Sequence, residues 1–218
     1  MKQFFTIGIV LLLFSCGNDP APETVEKKTS RFEQILNKYK EISFDTLNVY
    51  STFEDPDTDS YYFRGVLFDT TELVFIPKTL DHYDCTYYAC YKFAIDSATT
   101  GLITRCPGEY SATVLKLFVF DQLKDSVTAT YFLADNFGDA GEVMITTSWL
   151  LNPKPEGFSF FTYYESEYQH SVENENDTTI DRCYSASYYV LKNGIPDTTE
   201  ISDPEIIASF RKFNPSLK

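Results

Sequence analysis

Two hydrophobic spacings divide the chain. In SRFEQILNKYKEI, residues 30–42, the apolar side chains Phe32, Ile35, Leu36, Tyr39 and Ile42 recur every three or four positions. That period predicts an amphipathic helix, and Ser30 with Glu33 supplies its capping box. The stripe reads as a core-facing side. After Phe44 the texture turns to runs of Tyr, Phe, Val and Thr between short loops bearing Asp, Asn, Gly or Pro. These runs predict strands over 46–53, 60–68, 72–76, 85–95, 102–106, 112–120, 126–134, 142–151, 157–165 and 182–191. In YYFRGVLF the alternation places Tyr61, Phe63 and Leu67 on one face, whereas VLKLFVF is apolar on both sides, as a central strand would be. Short links favour antiparallel neighbours, because parallel pairs need long crossovers. A second, short helix is predicted from Asp203 as N-cap and Pro204 at the first helical position, carrying Ile206, Ile207 and Phe210. No repeat recurs at propeller spacing. The expected fold is mainly β: an antiparallel sandwich or barrel, with one N-terminal helix and a short C-terminal helix, in a single domain over 30–218.

The start of the chain has a different character. Lys2 is the only charge before residue 16, and Phe4 to Phe14 is apolar apart from Thr6 and Gly8. This is a short positive region and a secretory-length hydrophobic run, too short for the roughly 20 residues that span a bilayer. The run halts at Leu13-Phe14-Ser15-Cys16 and passes at once into Gly17, Asn18, Asp19 and Pro20. Leu13, Ser15 and Cys16 resemble the lipobox of bacterial lipoproteins. The resemblance implies a signal peptide over 1–15, cleavage before Cys16, and acylation of the Cys16 thiol and the new amino group. Several acyl chains give stable anchoring where one would be marginal. It also implies a place in the bacterial cell envelope, with the outer membrane as the expected site of anchorage. Residues 17–29, GNDPAPETVEKKT, are too polar to bury a core and read, with Cys16, as a flexible tether over 16–29.

Charge and composition narrow the functional classes. With 18 Lys+Arg against 32 Asp+Glu the net charge is −14, which disfavours nucleic acid and anionic membrane surfaces as partners. The 43% hydrophobic and 17% aromatic content is ample for a packed core. The chain has no GxGxxG following a strand, no P-loop, no HExxH, no GxSxG and no paired CxxC.

Four groups of residues are chemical candidates. His82 stands near Asp81, Asp84 and Cys85 but lacks the second ligand set that zinc needs, so it reads as a turn histidine; His170 reads as solvated. Two acidic loops follow, EDPDTDS with Glu54, Asp55, Asp57 and Asp59, and DNFGDAGE with Asp135, Asp139 and Glu142. The favoured reading of both is a solvated hairpin loop. Calcium is the candidate cofactor for the second, whose glycines permit converging carbonyls; otherwise no cofactor is expected. The tyrosine pairs 61–62, 87–88, 163–164 and 188–189 place one ring on each face of a strand, so one face could serve a protein or glycan ligand.

Past Cys16 there are four cysteines, an even number in an exported chain, where oxidation is the default. Cys85 and Cys90 in an extended CTYYAC would lie roughly 17 Å apart, beyond disulfide reach. If the hairpin turn DSATTG centres near residue 98, facing residues sum to about 196, which pairs Cys90 with Cys106. Such a closed loop is worth ~3 kcal/mol. Cys85 is then left for Cys183. The sequence therefore predicts a lipid-anchored envelope domain that acts by binding or assembly. The alternative is a hydrolase of an envelope polymer, which would show a cleft with two facing carboxylates.

Overall fold

The computed structural model describes residues 30–76, 86–106, 111, 113–154, 157–192 and 195–211. Residues 1–29, where a signal peptide, a lipidated Cys16 and a tether are expected, lie outside the described residues, as do His82 and Cys85. The chain is mainly β. In order it forms α1 (Glu33–Leu36), β1 (Lys40–Glu41), β2 (Thr46–Tyr50), β3 (Val66–Leu67), β4 (Tyr88–Ala94), β5 (Thr99–Arg105), β6 (Leu115–Asp121) and β7 (Ser126–Asp139). It continues with β8 (Glu142–Leu151), β9 (Phe158–Gln169), β10 (Ile180–Lys192), β11 (Ile195–Ile201) and α2 (Pro204–Arg211).

From β4 to β11 each described strand runs antiparallel to the next, as the short links require. The 11-stranded sheet is not closed: β1 lies parallel to β4 at one end and β11 forms the other. Strand β7 serves two neighbours. Its residues 126–134 pair with β6, and Asp135 to Asp139 pair with the first half of β8. The second half of β8 instead takes β2, in the register Thr46↔Leu151 to Tyr50↔Thr147.

The doubly apolar β6 explains the packing. Its Leu115, Leu117 and Val119 join Ile103, Leu150, Phe158, Phe160 and Leu191 in one core, which thus draws on both halves of the sheet. Phe93 of β4 meets Phe158 of β9 at 5.2 Å between ring centres. On the opposite face, Phe118 and Phe120 join Leu102, Phe32, Ile35, Tyr39 and Phe75 in a second core. Each fully buried Leu or Phe contributes about 1.5–3 kcal/mol, so a strand buried on both faces anchors both layers. Gly101 permits part of this packing, since a Cβ there would fall 2.5 Å from the Phe93 ring.

The structure corrects several expected elements. The helix over 30–42 is a single turn, although Phe32, Ile35 and Tyr39 are buried as the stripe required. Tertiary contacts outweigh propensity here. Lys92 Nζ donates to the Leu36 carbonyl, Tyr39 is bonded to Thr104 at 2.7 Å, and Lys40 and Glu41 are drawn into pairing with β4. Ser30 Oγ accepts from the Phe32 amide rather than from Glu33. The strand expected over 60–68 survives only at Val66–Leu67: Gly65 takes φ +73°, breaking the extended run, and Leu67 faces solvent. Residues 72–75 form a 3-10 turn. Strand β11, unforeseen, carries Pro196, which an edge strand tolerates. α2 starts as expected, with Asp203 Oδ1 accepting from the Glu205 and Ile206 amides.

Candidate functional site

After β2 the chain runs through the acidic residues 54–59 before reaching β3. Arg105, at the end of β5, holds this loop to the sheet. Its side chain is buried, at 2% exposure. The guanidinium lies 3.6 Å over the Tyr88 ring, donates from Nε to the Arg64 carbonyl at 3.0 Å, and pairs through Nη2 with Asp57 Oδ1 at 2.8 Å. A buried cation persists only when paired and packed in this way. Further along, Tyr91 Oη donates to the Tyr62 carbonyl, Cys90 Sγ to the Phe63 carbonyl and Tyr61 Oη to the Tyr50 carbonyl. Asp55 shapes the tip, accepting from the Asp57 amide through its side chain and from the Thr58 hydroxyl through its carbonyl.

Between this pinned loop and β7 lies a cleft of about 400 Å³. Tyr50 and Tyr61 form an aromatic wall, and Thr52, Thr58 and Ser60 also line it. Phe53 also lines the cleft and is 60% exposed. Asn136 of β7 lines the cleft from the sheet side. It is 3% exposed, yet neither Oδ1 nor Nδ2 has a hydrogen-bond partner among the described residues. Asp135 Oδ1, Tyr131 Oη and Thr147 Oγ1 are buried in the same condition, but of these groups Asn136 is the one that lines the cleft. An orphaned buried amide costs about 1–3 kcal/mol. Glu54 and Asp55 are exposed at the rim and make it negative.

The structure spreads the expected calcium ligands. Asp139 and Glu142 face each other across a two-residue turn whose Ala140 and Gly141 both have positive φ. Asp135 pairs with Thr146, four residues of extended chain away, or roughly 13 Å. One ion with oxygens at 2.3–2.6 Å cannot reach all three. Burial raises the Asp135 carboxyl above its ordinary range, against a hydrogen bond from Ser111. Among the described residues no group of three or more His, Cys, Asp or Glu converges on a metal position.

The structure does not bring Cys90 and Cys106 together. The β4–β5 register runs Tyr88↔Arg105 and Ala89↔Thr104, then shifts to Tyr91↔Ile103, leaving Cys90 in a bulge. Facing residues thus sum to 193 or 194, and Cys90 does not oppose Cys106. Cys90 belongs to the first core and Cys106 to the second, where its thiol approaches the Thr104 carbonyl. Burial pushes the Cys90 thiol up to about 12. Cys183 is an exposed free thiol on β10.

The tyrosine pairs largely divide between faces as expected. Tyr61, Tyr87 and Tyr163 are buried, while Tyr62, Tyr88 and Tyr164 are partly or fully exposed. Tyr188 and Tyr189 are both half-buried, against Phe161 and Phe160. His170 is not simply solvated: its Nε2 lies 2.8 Å from Asp181 Oδ2.

Two residues of the site were passed over in the sequence. Asn136 sits within DNFGDAGE, where carboxylates drew attention from the amide. Arg105 is the lone cation in the apolar run GLITRC, and a charge in a central strand is a signal of a buried partner. Comparison of the chain with protein-family models, with curated proteins and with solved structures gives no match. Among the described residues no helix is long and apolar enough to cross a membrane.

Arg105→Ala is expected to lower the unfolding free energy by ~3 kcal/mol through lost packing and pairing. Arg105→Lys, which keeps the charge but not the planar fork, should recover only part of it. Denaturant titration decides, and a loss below ~0.5 kcal/mol for the alanine variant would show that the guanidinium does not hold the loop.

His170 carries a pH prediction. The Asp181 hydrogen bond raises its pKa above 6.5 in the folded chain. The contact therefore stabilises the fold in full below pH 6.5, and its contribution fades as pH rises through the higher folded-state value. Imidazole proton shifts followed by NMR should titrate above 6.5 and return toward 6.5 in Asp181→Asn. An unmoved midpoint in that variant would refute the assignment.

Proposed function

We propose that this chain is a lipid-anchored protein of the bacterial cell envelope whose single β-rich domain works by binding rather than catalysis. Cys16 carries the lipid, residues 17–29 hold the domain off the membrane, and the outer membrane is the membrane concerned. The net charge of −14 supports partners other than nucleic acid. The core shared by both halves of the sheet supports reading it as a sandwich.

One observation carries the binding reading: a cleft of about 400 Å³ lined by Tyr50 and Tyr61 beside Thr52, Thr58 and Ser60, with the buried Asn136 on its sheet side. That volume is within the range of small-ligand pockets, and a few convergent polar groups beside aromatic rings are what such pockets present. The hydrolase alternative needs two carboxylates facing each other across the cleft. Glu54 and Asp55 are instead consecutive and exposed on one loop, which favours binding.

Two experiments test this reading. Cys16→Ser should leave the protein unprocessed or soluble, and cell fractionation with N-terminal mass analysis reads the outcome; membrane association at the wild-type level would sink the anchor. Asn136→Leu replaces the orphaned amide with an apolar side chain of similar size. It is expected to raise the unfolding free energy by about 1–2 kcal/mol, as groups kept for function at a cost in stability do. A clear loss of stability would mean that the amide serves the fold and not a ligand.

A further inference from the structure

Resting on the reading of the cleft as a binding site, we infer that its ligand is an organic cation, an ammonium or guanidinium group on an aliphatic stem. The charges of the loop are divided unevenly. Of the carboxylates Glu54, Asp55, Asp57 and Asp59, Asp57 is met by Arg105 and Asp59 by Arg64, and neither of these two lines the cleft. Glu54 and Asp55 do line it, both exposed, and neither has an ion pair among the described residues. The residues lining the cleft include no lysine, arginine or histidine. Like charges on adjacent residues repel each other, and a cation beside them is attracted to both and relieves that repulsion. An anion would meet them unopposed.

Elsewhere on the same loop a cation is already held between a carboxylate and an aromatic ring. Arg105 pairs with Asp57 at 2.8 Å and lies 3.6 Å over Tyr88. The cleft repeats two of these three parts, Glu54 and Asp55 beside Tyr50 and Tyr61, whose rings stand edge to face at 6.4 Å. Ring and carboxylate together favour a cation over a neutral group, since the ring quadrupole adds to the pull of the charge. The stem follows from the same walls: methylenes cover aromatic surface while the charged head stays with the carboxylates. A bare metal ion fits less well, because among the described residues no group of three or more His, Cys, Asp or Glu converges on a metal position. At about 400 Å³ the cleft accommodates a side chain the size of lysine or arginine, with the atoms that carry it. The net charge of −14 draws such cations toward the domain from solution.

The test is calorimetry on the full-length chain in a non-ionic detergent, at low and at high salt. The probes are agmatine, the peptides acetyl-Gly-Arg-Gly-amide and acetyl-Gly-Lys-Gly-amide, their citrulline and glutamate counterparts, and calcium chloride. The cationic probes are expected to bind, the neutral citrulline peptide about tenfold more weakly and the glutamate peptide more weakly still, with affinity for the cations falling as salt rises. Peptides bound in preference to agmatine would assign the cation to a polypeptide, and the reverse to a free amine; either supports the inference. Glu54→Gln combined with Asp55→Asn should lower affinity about tenfold at an unchanged melting temperature, since both positions are exposed and an amide at 55 still accepts from the Asp57 amide. The same change of charge on β11, Asp197→Asn with Glu200→Gln, should alter it by less than about twofold. Equal losses in the two double variants would show a general field and overturn the site. Citrulline and arginine peptides bound alike, or calcium bound in their place, would overturn the ligand class. A neutral or anionic probe bound by the wild type but not by Ser60→Trp, an exposed position lining the cleft, would overturn the cation and leave the cleft standing. If no probe binds, the inference and the cleft reading fall together.

Discussion

A guanidinium can stay inside a protein only where its donors are met and its plane is packed, and Arg105 meets that condition by taking hold of the acidic loop. Its partners come from separate places: the Tyr88 ring beneath, the Arg64 carbonyl at one end of the loop, and Asp57 nearer the tip. Satisfying the cation therefore fixes where residues 57 to 64 can lie. With that segment set, Tyr61 reaches back to the Tyr50 carbonyl, and the wall of the cleft follows. The negative charge of the loop is thus divided. Asp57 is spent on the fold, while Glu54 and Asp55 are left to face whatever enters.

The sheet supplies the opposite wall by an economy of strands. Because β6 is apolar on both sides, it can separate two cores, and the single-turn α1 with its neighbours needs to cover only one of them. Because β7 outlasts β6, its far end is released to pair with β8, and Asn136 falls on that released portion. The site is therefore placed where one strand changes partners.

Much of the fold was legible in the residues and little of the site was. Strong local signals survived: the doubly apolar VLKLFVF is the central β6, the short Asp- and Gly-bearing links give antiparallel neighbours, and Asp203-Pro204 opens α2. Signals that depended on distant partners did not. The helical period of residues 30–42 describes which side chains are buried, yet the backbone yields to β4 after one turn. YYFRGVLF alternates like a strand, but Gly65 and the hydrogen bonds to Tyr62 and Phe63 make it a loop. The Cys90–Cys106 pairing rested on a β4–β5 register that differs by two or three in the sum of facing residue numbers, with a bulge at Cys90 itself. A bulge leaves no mark in composition. Asn136 was invisible for a related reason, since the lack of a hydrogen-bond partner is a property of three dimensions and not of any motif.

The pairing of β2 with β8 has a consequence for the order in which the protein is made. From β4 onward each strand finds its partner in the next stretch of chain to be synthesised, so hairpins can close one after another with little loop entropy to overcome. Strand β2 has no such neighbour. Its partner, residues 147–151, emerges only after β4 to β7, and until then β2 waits with its backbone unpaired. Tyr50 ends β2 and begins the wall of the cleft. The cleft is thus completed only once this long-range strand has docked.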